Sequence, residues 1–296
     1  MTATIIDGNA IAQQVRDEVR AEVDLLRGRG VEPGLVVVLV GDNPASVSYV
    51  RGKTRDATEV GMRSETIRRS ADITQHELLA LVDELNRDPT WHGILVQLPL
   101  PPHIDESAVA SAVAVEKDVD GLHPINVGRL FRGEPGFLSC TPHGVVQMLM
   151  RTGNDPAGKH VVVCGRSNLV GKPLAGLLMR KAPGGNATVT VCHTGTPDIA
   201  RYTREAEILV AVMGRPRAIS ADMVHEGAVV IDVGVNSVPD ATRKSGKRLV
   251  GDVDFESVAE KAASITPVPG GVGPMTRAML LYNTVVAAGG FGGLGR

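Results

Sequence analysis

Residues 159–173 read KHVVVCGRSNLVGKP, and this stretch decides the fold class. Lys159–Cys164 is a short apolar run and is predicted as a strand, whereas Leu169–Lys181 has the pattern of a helix. Gly165 therefore stands where dinucleotide-binding folds place their phosphate-binding turn, with backbone N–H groups facing an anion. Ser167 replaces the middle glycine of the G-x-G-x-x-G pattern, so an ordinary strand-to-helix loop remains the alternative.

Apolar runs of strand length alternate with amphipathic segments along the whole chain. Leu35–Val40 is mostly β-branched, which is typical of a strand buried on both faces of a sheet. This alternation predicts an α/β fold with parallel sheets and right-handed crossovers. The other predicted strands are Gly93–Gln97, Ala187–Cys192, Glu207–Met213 and Gly227–Asp232; the other predicted helices are Ala10–Leu26, Pro44–Val60, Thr74–Asn86, Val253–Ala263 and Thr276–Ala288.

Length and composition limit the possible classes of protein. A chain of 296 residues suggests about two domains, and prolines and glycines place their boundary near residues 135–142. The hydrophobic share of 43% excludes a wholly disordered chain. The net charge of -2 and the 3% of aromatic residues argue against nucleic acid as the main partner.

Cysteine and histidine usage argues against disulfides and metal sites. The three cysteines are odd in number and form no C-x-x-C pair, which favours a reducing, cytoplasmic compartment. His123, His143 and His193 have no metal-ligand spacing, so we expect no catalytic metal. The N-terminus lacks a signal-peptide pattern, and the apolar runs are too short to span a membrane, so no membrane partner is expected.

The end of the predicted strand after the glycine turn bears on the choice of cofactor. NAD-preferring folds carry an acidic residue about 20 residues after the turn, where it binds the ribose 2′-hydroxyl. Here Thr194 follows Cys192 and His193 without a carboxylate, while Arg166 lies in the turn itself. The pattern favours the 2′-phosphate of NADP; the alternative is that Arg166 is only a solvated loop residue.

A second group of polar residues lies in the first half of the chain. Tyr49 and Lys53 are four residues apart, on one face of a predicted helix. Gln97 ends a strand, where ligands bind in open α/β sheets, and Asp120 lies in an acidic turn. The four side chains could converge on a polar heterocycle. Taken singly, a solvated lysine and an ordinary Asp-Gly turn are the simpler interpretations.

The segment Thr266–Pro274 is rich in proline and glycine and precedes a helix. Its prolines stiffen the loop, and its glycines permit close approach of the backbone to a ligand. A linker is the alternative, although linkers are normally more polar.

Five motifs occur in a fixed order, and together they resemble the bifunctional methylenetetrahydrofolate dehydrogenase/cyclohydrolase family over nearly the whole chain. They are Tyr49-Val-x-x-Lys53, Gln97-Leu-Pro-Leu-Pro101, Lys117-Asp-Val-Asp120-Gly121, Gly165-Arg-Ser-x-x-Val-Gly-x-Pro173 and Pro267-Val-Pro-Gly-Gly-Val-Gly-Pro-Met-Thr276.

The resemblance implies NADP-dependent oxidation of 5,10-methylenetetrahydrofolate to 5,10-methenyltetrahydrofolate, and hydrolysis of the latter to 10-formyltetrahydrofolate. It also implies a cytoplasmic homodimer in one-carbon metabolism and purine biosynthesis. Two α/β domains would flank a cleft. Residues 1–139 with 276–296 would form the folate-binding catalytic domain, and residues 140–275 a Rossmann-like NADP-binding domain.

The resemblance further assigns roles to individual residues. Lys53 would be the central catalytic residue, since it alone among Tyr49, Lys53 and Gln97 can carry a proton both ways. Gln97 would hold Lys53, while Tyr49 would pack on the folate rings and Asp120 would bind the pterin edge. The cofactor positions are Gly165, Arg166, Ser167, Thr194 and Val235; Pro267, Gly270 and Gly271 would border the substrate together with Tyr49, Lys53, Gln97 and Asp120.

Two other functions stay open from the sequence. A monofunctional NADP-dependent dehydrogenase could share the fold, although the presence of Lys53, Gln97 and Asp120 together argues against it. A nucleotide-sensing module without turnover would bind NADP and yield no folate product; the intact polar group argues against that as well.

Overall fold

The computed structural model describes residues 2–243 and 246–295, and these residues form strands, α-helices and three short 3₁₀ turns. No helix in these two ranges is long and apolar enough to cross a membrane. The strands are β1 (Thr4–Ile5), β2 (Gly34–Val40), β3 (Arg63–Arg69), β4 (Gly93–Val96), β5 (His160–Cys164), β6 (Thr188–Cys192), β7 (Ile208–Ala211), β8 (Val229–Asp232), β9 (Asn236–Pro239), β10 (Lys247–Val250) and β11 (Ser264–Ile265). The helices are α1 (Gly8–Gly28), α2 (Pro44–Glu59), α3 (Gln75–Arg87), α4 (Glu106–Ala112), α5 (Pro124–Arg132), α6 (Cys140–Arg151), α7 (Gly171–Met179), α8 (Ile199–Thr203), α9 (Phe255–Ala259) and α10 (Val272–Ala287).

One compact unit, here called the six-stranded unit, consists of Thr141–Thr276 and the N-terminal segment through Ala12. Its sheet has the strand order β1-β11-β8-β7-β5-β6, and every neighbouring pair is parallel. The strands β9 and β10 form a separate antiparallel pair. Apolar side chains from both the sheet and its covering helices form the core, including Val162, Leu209, Val230, Val258 and Ile265.

The second compact unit, here called the three-stranded unit, consists of Gln13–Cys140 and the C-terminal segment from Arg277 onward. Its parallel sheet has the order β3-β2-β4. All seven residues of the central strand β2 are buried, as its β-branched sequence predicts. Helix α3 closes one face with apolar residues at helical spacing. The core of this unit includes Val36, Val38, Leu78, Val82, Ile94 and Val109.

Local sequence signals explain where the helices of the three-stranded unit begin. Thr74 caps α3 in a capping box: its side chain accepts from the Glu77 N–H, and the Glu77 carboxylate accepts from the Thr74 N–H. The Asn43 side chain caps α2, and Pro44 takes the first helical position, where its missing N–H is harmless. Asn43 and Pro44 fix where α2 begins, and they thereby fix which of its residues lie on the same helix face.

The two α/β units with their parallel sheets confirm the predicted fold class. The structure differs from the predicted boundaries in the N-terminal segment, which joins the six-stranded unit because β1 pairs with β11. The sequence pattern also missed β3. This edge strand, RSETIRR, is charged and largely exposed, so it lacks the apolar run that marks a buried strand.

Candidate active site

Helix α2 presents Tyr49 and Lys53 on one face, as their spacing of four residues predicts. The side chain of Lys53 is only 7% exposed, whereas Tyr49 is 41% exposed. A lysine buried to this degree is unusual and needs a partner for its polar head. Tyr49 leaves an aromatic surface free in the vicinity of the buried amine.

Gln97 provides that partner. It directly follows β4, and its backbone N–H donates to the carbonyl of Val38 at 2.9 Å, which extends the sheet by one bond. The Lys53 Nζ donates to the Gln97 Oε1 at 2.9 Å, and the Gln97 Nε2 donates to the carbonyl of Leu98 at 2.7 Å. Because the carbonyl of Leu98 needs a donor, the amide group can turn only its oxygen toward Lys53. The predicted Lys53–Gln97 pair therefore exists as a direct hydrogen bond.

Burial lowers the pKa of the Lys53 ammonium below its ordinary value of 10.5. The negative charge of Asp120 and a Cys140 thiolate would oppose this shift, whereas the guanidinium of Arg277 adds to it. A lysine in such surroundings can exist as a neutral amine nearer to physiological pH. It can then accept a proton from water and release it again.

The residues of the acidic turn have different roles: Lys117 and Asp118 hold the local structure, whereas Asp120 acts on Lys53. The Lys117 Nζ donates to the carbonyls of Leu85 and Asp88, so Lys117 holds the end of α3. Asp118 is buried and accepts from the backbone N–H groups of Leu122 and His123 and from Asn126; burial raises the pKa of its carboxyl to about 6. This leaves Asp120 as the carboxylate of the turn that acts on Lys53.

Cys140 also belongs to this group, although no sequence pattern indicates it. Its thiol donates to the carbonyl of Val119 at 3.3 Å, and burial together with Asp120 raises its pKa well above the ordinary value. Asn283 on α10 donates to the carbonyls of Val119 and Leu138, and so joins the turn to the segment before Cys140. No short motif marks either residue, because both reach the turn from distant parts of the chain.

The six-stranded unit carries the predicted cofactor residues after the carboxyl ends of three parallel strands of its sheet. Gly165 follows β5, Thr194 lies two residues after β6, and Val235 lies three residues after β8. Because β6 and β7 flank β5 on opposite sides, the strand order reverses at β5. Ligands of open α/β sheets bind at the carboxyl edge beside such a reversal.

The turn after β5 has the tight geometry that its glycines predict. Gly165 has a φ of +143°, and a Cβ at this residue would lie 2.2 Å from the carbonyl oxygen of Val212. A Cβ on Gly171 would lie 2.2 Å from the carbonyl oxygen of Gly165, so α7 starts directly against the turn. The Ser167 hydroxyl accepts from the backbone N–H groups of Val170 and Gly171. Ser167 thus fixes the start of α7, and this role explains why a serine stands at the position of the middle glycine in the G-x-G-x-x-G pattern.

The remaining residues of this edge fit a dinucleotide with an additional phosphate. Arg166 and Thr194 are exposed, and the side chain of Val235 is 50% exposed. The edge therefore offers a guanidinium, a hydroxyl and an apolar surface close to a helix N-terminus, which suits an anion and a flat ring. No carboxylate stands beside Thr194 in the sequence.

Two buried carboxylates, which no sequence motif marks, hold the loops of this edge. Asp252 accepts from the backbone N–H groups of Gly214 and Arg215, both at 2.9 Å, and thereby fixes the loop after β7. Asp232 accepts from the N–H groups of Gly234 and Asp252, and its carboxyl has a pKa raised to about 6 by burial. In the sequence both resemble ordinary residues of strand ends.

The Pro267–Pro274 loop belongs to the six-stranded unit, whereas Lys53 belongs to the three-stranded unit. Its backbone is tightly folded: a Cβ on Gly271 would lie 2.6 Å from the carbonyl oxygen of Pro267, and Gly270 has a φ of +104°. Pro267 contributes to the wall of a cavity of about 530 Å³ beside β10. The loop is therefore a shaped element rather than a linker.

Two family models match the chain. The tetrahydrofolate dehydrogenase/cyclohydrolase catalytic domain matches residues 6–120, and the NAD(P)-binding domain of the same family matches residues 139–290. The first range contains Tyr49, Lys53, Gln97 and Asp120, and the second contains every predicted cofactor residue.

Individual relatives agree with these matches. The bifunctional protein FolD of Moorella thermoacetica is 57% identical over 288 residues, which are 97% of this chain and 99% of the relative. The crystal structure of the bifunctional enzyme FolD from Campylobacter jejuni has a TM-score of 0.91 at 47% identity, covering 97% of this chain and 98% of that one. The methylenetetrahydrofolate dehydrogenase-cyclohydrolase of Trypanosoma brucei, complexed with NADP cofactor and an inhibitor, has a TM-score of 0.92 at 42% identity, with the same coverage. The chain therefore belongs to the tetrahydrofolate dehydrogenase/cyclohydrolase family.

Proposed function

We propose that the buried Lys53–Gln97 pair serves both reactions of the family in this chain. As a member of that family, the chain is an NAD(P)-binding oxidoreductase and a hydrolase of tetrahydrofolate derivatives. It oxidises 5,10-methylenetetrahydrofolate to 5,10-methenyltetrahydrofolate and hydrolyses the latter to 10-formyltetrahydrofolate. The observation that carries the proposal is the 2.9 Å hydrogen bond from Lys53, a 7% exposed amine, to an amide that can offer it only oxygen.

For the oxidation, the protein supplies position and electrostatics. NADP, when bound, provides the hydride acceptor. No base is required, because the neighbouring folate nitrogens stabilise the positive charge that develops on the methylene carbon. Tyr49 packs on the folate rings, and Asp120 binds the pterin edge. A lowered pKa of Lys53 helps, since an ammonium would repel the cationic product.

The hydrolysis requires a group that moves protons. Water adds to the methenyl carbon and must lose a proton, and a proton must reach the folate nitrogen when the carbon–nitrogen bond breaks. Neutral Lys53 accepts the first proton and, as the ammonium, delivers it to the folate nitrogen as the carbon–nitrogen bond breaks. The remaining hydroxyl proton of the adduct leaves to solvent as the formyl carbonyl forms, so Lys53 returns to the neutral amine and one proton is released overall. Gln97 keeps the amine in place through its own bond to the carbonyl of Leu98.

We further propose that NADP is preferred over NAD. The turn carries the exposed Arg166, and no carboxylate stands near Thr194 to repel a 2′-phosphate. Equal kcat/KM values for the two cofactors would contradict this preference.

We also propose domain roles, an oligomeric state and a cellular compartment for the protein. Residues 140–275 would bind the cofactor, and residues up to 139 with 276–296 would bind folate, except that β1 belongs to the six-stranded unit. Pro267, Gly270 and Gly271 would border the substrate. The protein would be a cytoplasmic homodimer that supplies 10-formyltetrahydrofolate to purine biosynthesis; the free thiols of its three cysteines are consistent with a reducing compartment.

Product analysis tests the proposed function. The protein is incubated with 5,10-methylenetetrahydrofolate and NADP, and products are separated by chromatography. We expect NADPH and 10-formyltetrahydrofolate to form faster than in protein-free buffer. Formation of NADPH alone, with methenyltetrahydrofolate decaying at the buffer rate, would instead indicate a dehydrogenase only. For the oligomer, sedimentation showing only monomer at micromolar concentration would contradict the homodimer.

A further inference from the structure

An ion pair between helices α2 and α10 includes a residue about one helical turn from Lys53. The Nε of Arg277, from α10, is 2.8 Å from the Oδ2 of Asp56 on α2. Asp56 is three residues after Lys53, about one helical turn along the same face. A Cβ on Gly52, the residue directly before Lys53, would lie 3.1 Å from the Nη1 of Arg277. Gly52 therefore leaves the space in which the guanidinium rests, one residue away from the catalytic lysine.

The burial of this pair indicates that it is fixed. The side chain of Asp56 is 2% exposed, and that of Arg277 is 25% exposed. A carboxylate that is so completely buried requires cationic partners to offset its lost hydration. Asp56 has two, because the Nη2 of Arg55 also lies 3.0 Å from its Oδ1. Arg55, however, is 68% exposed and remains largely hydrated, so the two guanidinium groups differ in their surroundings.

The charges around Lys53 act in opposite directions. The carboxylate of Asp120 favours the ammonium form, whereas burial keeps Cys140 a neutral thiol that adds no charge. Burial and the charge of Arg277 favour the neutral amine. Gln97, the direct hydrogen-bond partner, carries no charge. Arg277 is thus the cation that offsets the carboxylate of the site, and Asp56 keeps it beside the lysine.

We propose that Arg277, anchored by the buried Asp56, is a positioning residue for the hydrolysis, whose fixed positive charge keeps Lys53 available as a neutral proton acceptor. This inference rests on the proposed function of Lys53. Arg277 itself touches no reacting atom in this account. Its effect should therefore appear in the pH dependence of hydrolysis rather than in a loss of all activity.

The test compares three variants of the full-length protein. Arg277→Gln removes the charge, Arg277→Lys keeps a charge, and Arg55→Gln is the matched control, because it removes the other guanidinium from the same carboxylate. Hydrolysis of 5,10-methenyltetrahydrofolate is measured from pH 6 to 9 above the buffer rate, and folding is checked by circular dichroism. Oxidation with NADP is measured on the same preparations.

We expect Arg277→Gln to shift the acidic limb of the hydrolysis profile to higher pH and to lower kcat at pH 7 about threefold to tenfold. The lost rate should return at higher pH. Arg277→Lys and Arg55→Gln should keep the wild-type midpoint. Oxidation should change less than hydrolysis, because it needs no proton acceptor.

An unshifted profile in folded Arg277→Gln would overturn the inference, as would an equal shift in Arg55→Gln. If Arg277→Gln does not fold, Arg277→Met removes the charge in its place, and an unshifted midpoint in that folded variant would likewise overturn the inference. A shifted midpoint in Arg277→Lys would refute a role of charge. Failure of the proposed function is distinguishable, since wild-type protein would then hydrolyse no substrate at any pH.

Discussion

Replacing Gln97 by Glu tests the central hydrogen bond with a change of a single group. The variant keeps the shape of the side chain but places a carboxylate where the neutral oxygen now lies, 2.9 Å from the Nζ of Lys53. At that distance, two unit charges attract by about 6 kcal/mol at an effective dielectric constant of 20. The carboxylate therefore stabilises the ammonium form of Lys53, which cannot accept a proton.

Two opposing effects reduce this figure. The carboxylate loses hydration on burial, and its second oxygen faces the carbonyl of Leu98, which now accepts from the amide. If these effects offset half of the attraction, about 3 kcal/mol remains, which corresponds to about a 100-fold smaller neutral fraction of Lys53. We therefore expect kcat for hydrolysis at pH 7 to fall about 100-fold.

The assay follows the loss of 5,10-methenyltetrahydrofolate above the buffer rate, from pH 6 to 9. Gln14→Glu is the control, since it makes the same change at an exposed position of α1. Oxidation by the Gln97→Glu variant should fall less than hydrolysis. A folded Gln97→Glu protein that hydrolyses the substrate within twofold of wild type at pH 7 would refute the reasoning.

Three further predictions concern the six-stranded unit. Asp252→Asn weakens the hydrogen bonds that fix the loop after β7. We therefore expect the KM for NADP to rise about tenfold and the KM for the folate to stay unchanged; equal changes in the two KM values would contradict this role of Asp252. Arg166→Gln should lower kcat/KM for NADP about 10-fold to 100-fold and leave that for NAD within about twofold, because only NADP carries the 2′-phosphate; steady-state kinetics showing equal losses would refute that role. Burial lowers the pKa of His143 to about 4. The unfolded state therefore takes up a proton at a higher pH than the folded state, and the free energy of unfolding falls as the pH is lowered from 6.5 toward 4. Denaturant titrations between pH 7 and 4 should show that this free energy falls by up to about 3 kcal/mol more in wild type than in His143→Gln, and an equal fall in both proteins would contradict the role of His143.

The buried strands were predictable because burial on both faces leaves a clear sequence pattern. Strand β2 begins one residue earlier than predicted, and β5 begins one residue later; both end where predicted. The edge strand β3 and the antiparallel pair of β9 and β10 were not predictable in the same way. They are largely exposed, so they need no apolar run, and their pairing depends on the strands beside them.

The candidate site was predictable where a backbone rule places a side chain. Lys53 follows from helical spacing, and Gln97 follows from the rule that ligands bind at strand ends. Cys140, Asp56 and Arg277 carry no such signal. Asp56 resembles a surface acid until α10 brings a guanidinium to it, and that contact joins positions more than 200 residues apart in the chain. Contacts of this kind depend on tertiary packing.

The most direct test of the account compares wild type with Lys53→Met in the hydrolysis of 5,10-methenyltetrahydrofolate. Methionine keeps a long, flexible side chain and removes the amine, and near-identical circular dichroism spectra would establish that the variant folds. We expect the substrate to decay at the buffer rate with Lys53→Met, while wild type converts it to 10-formyltetrahydrofolate. Full hydrolysis by a folded Lys53→Met protein would contradict the role of Lys53 and, with it, the proposed mechanism.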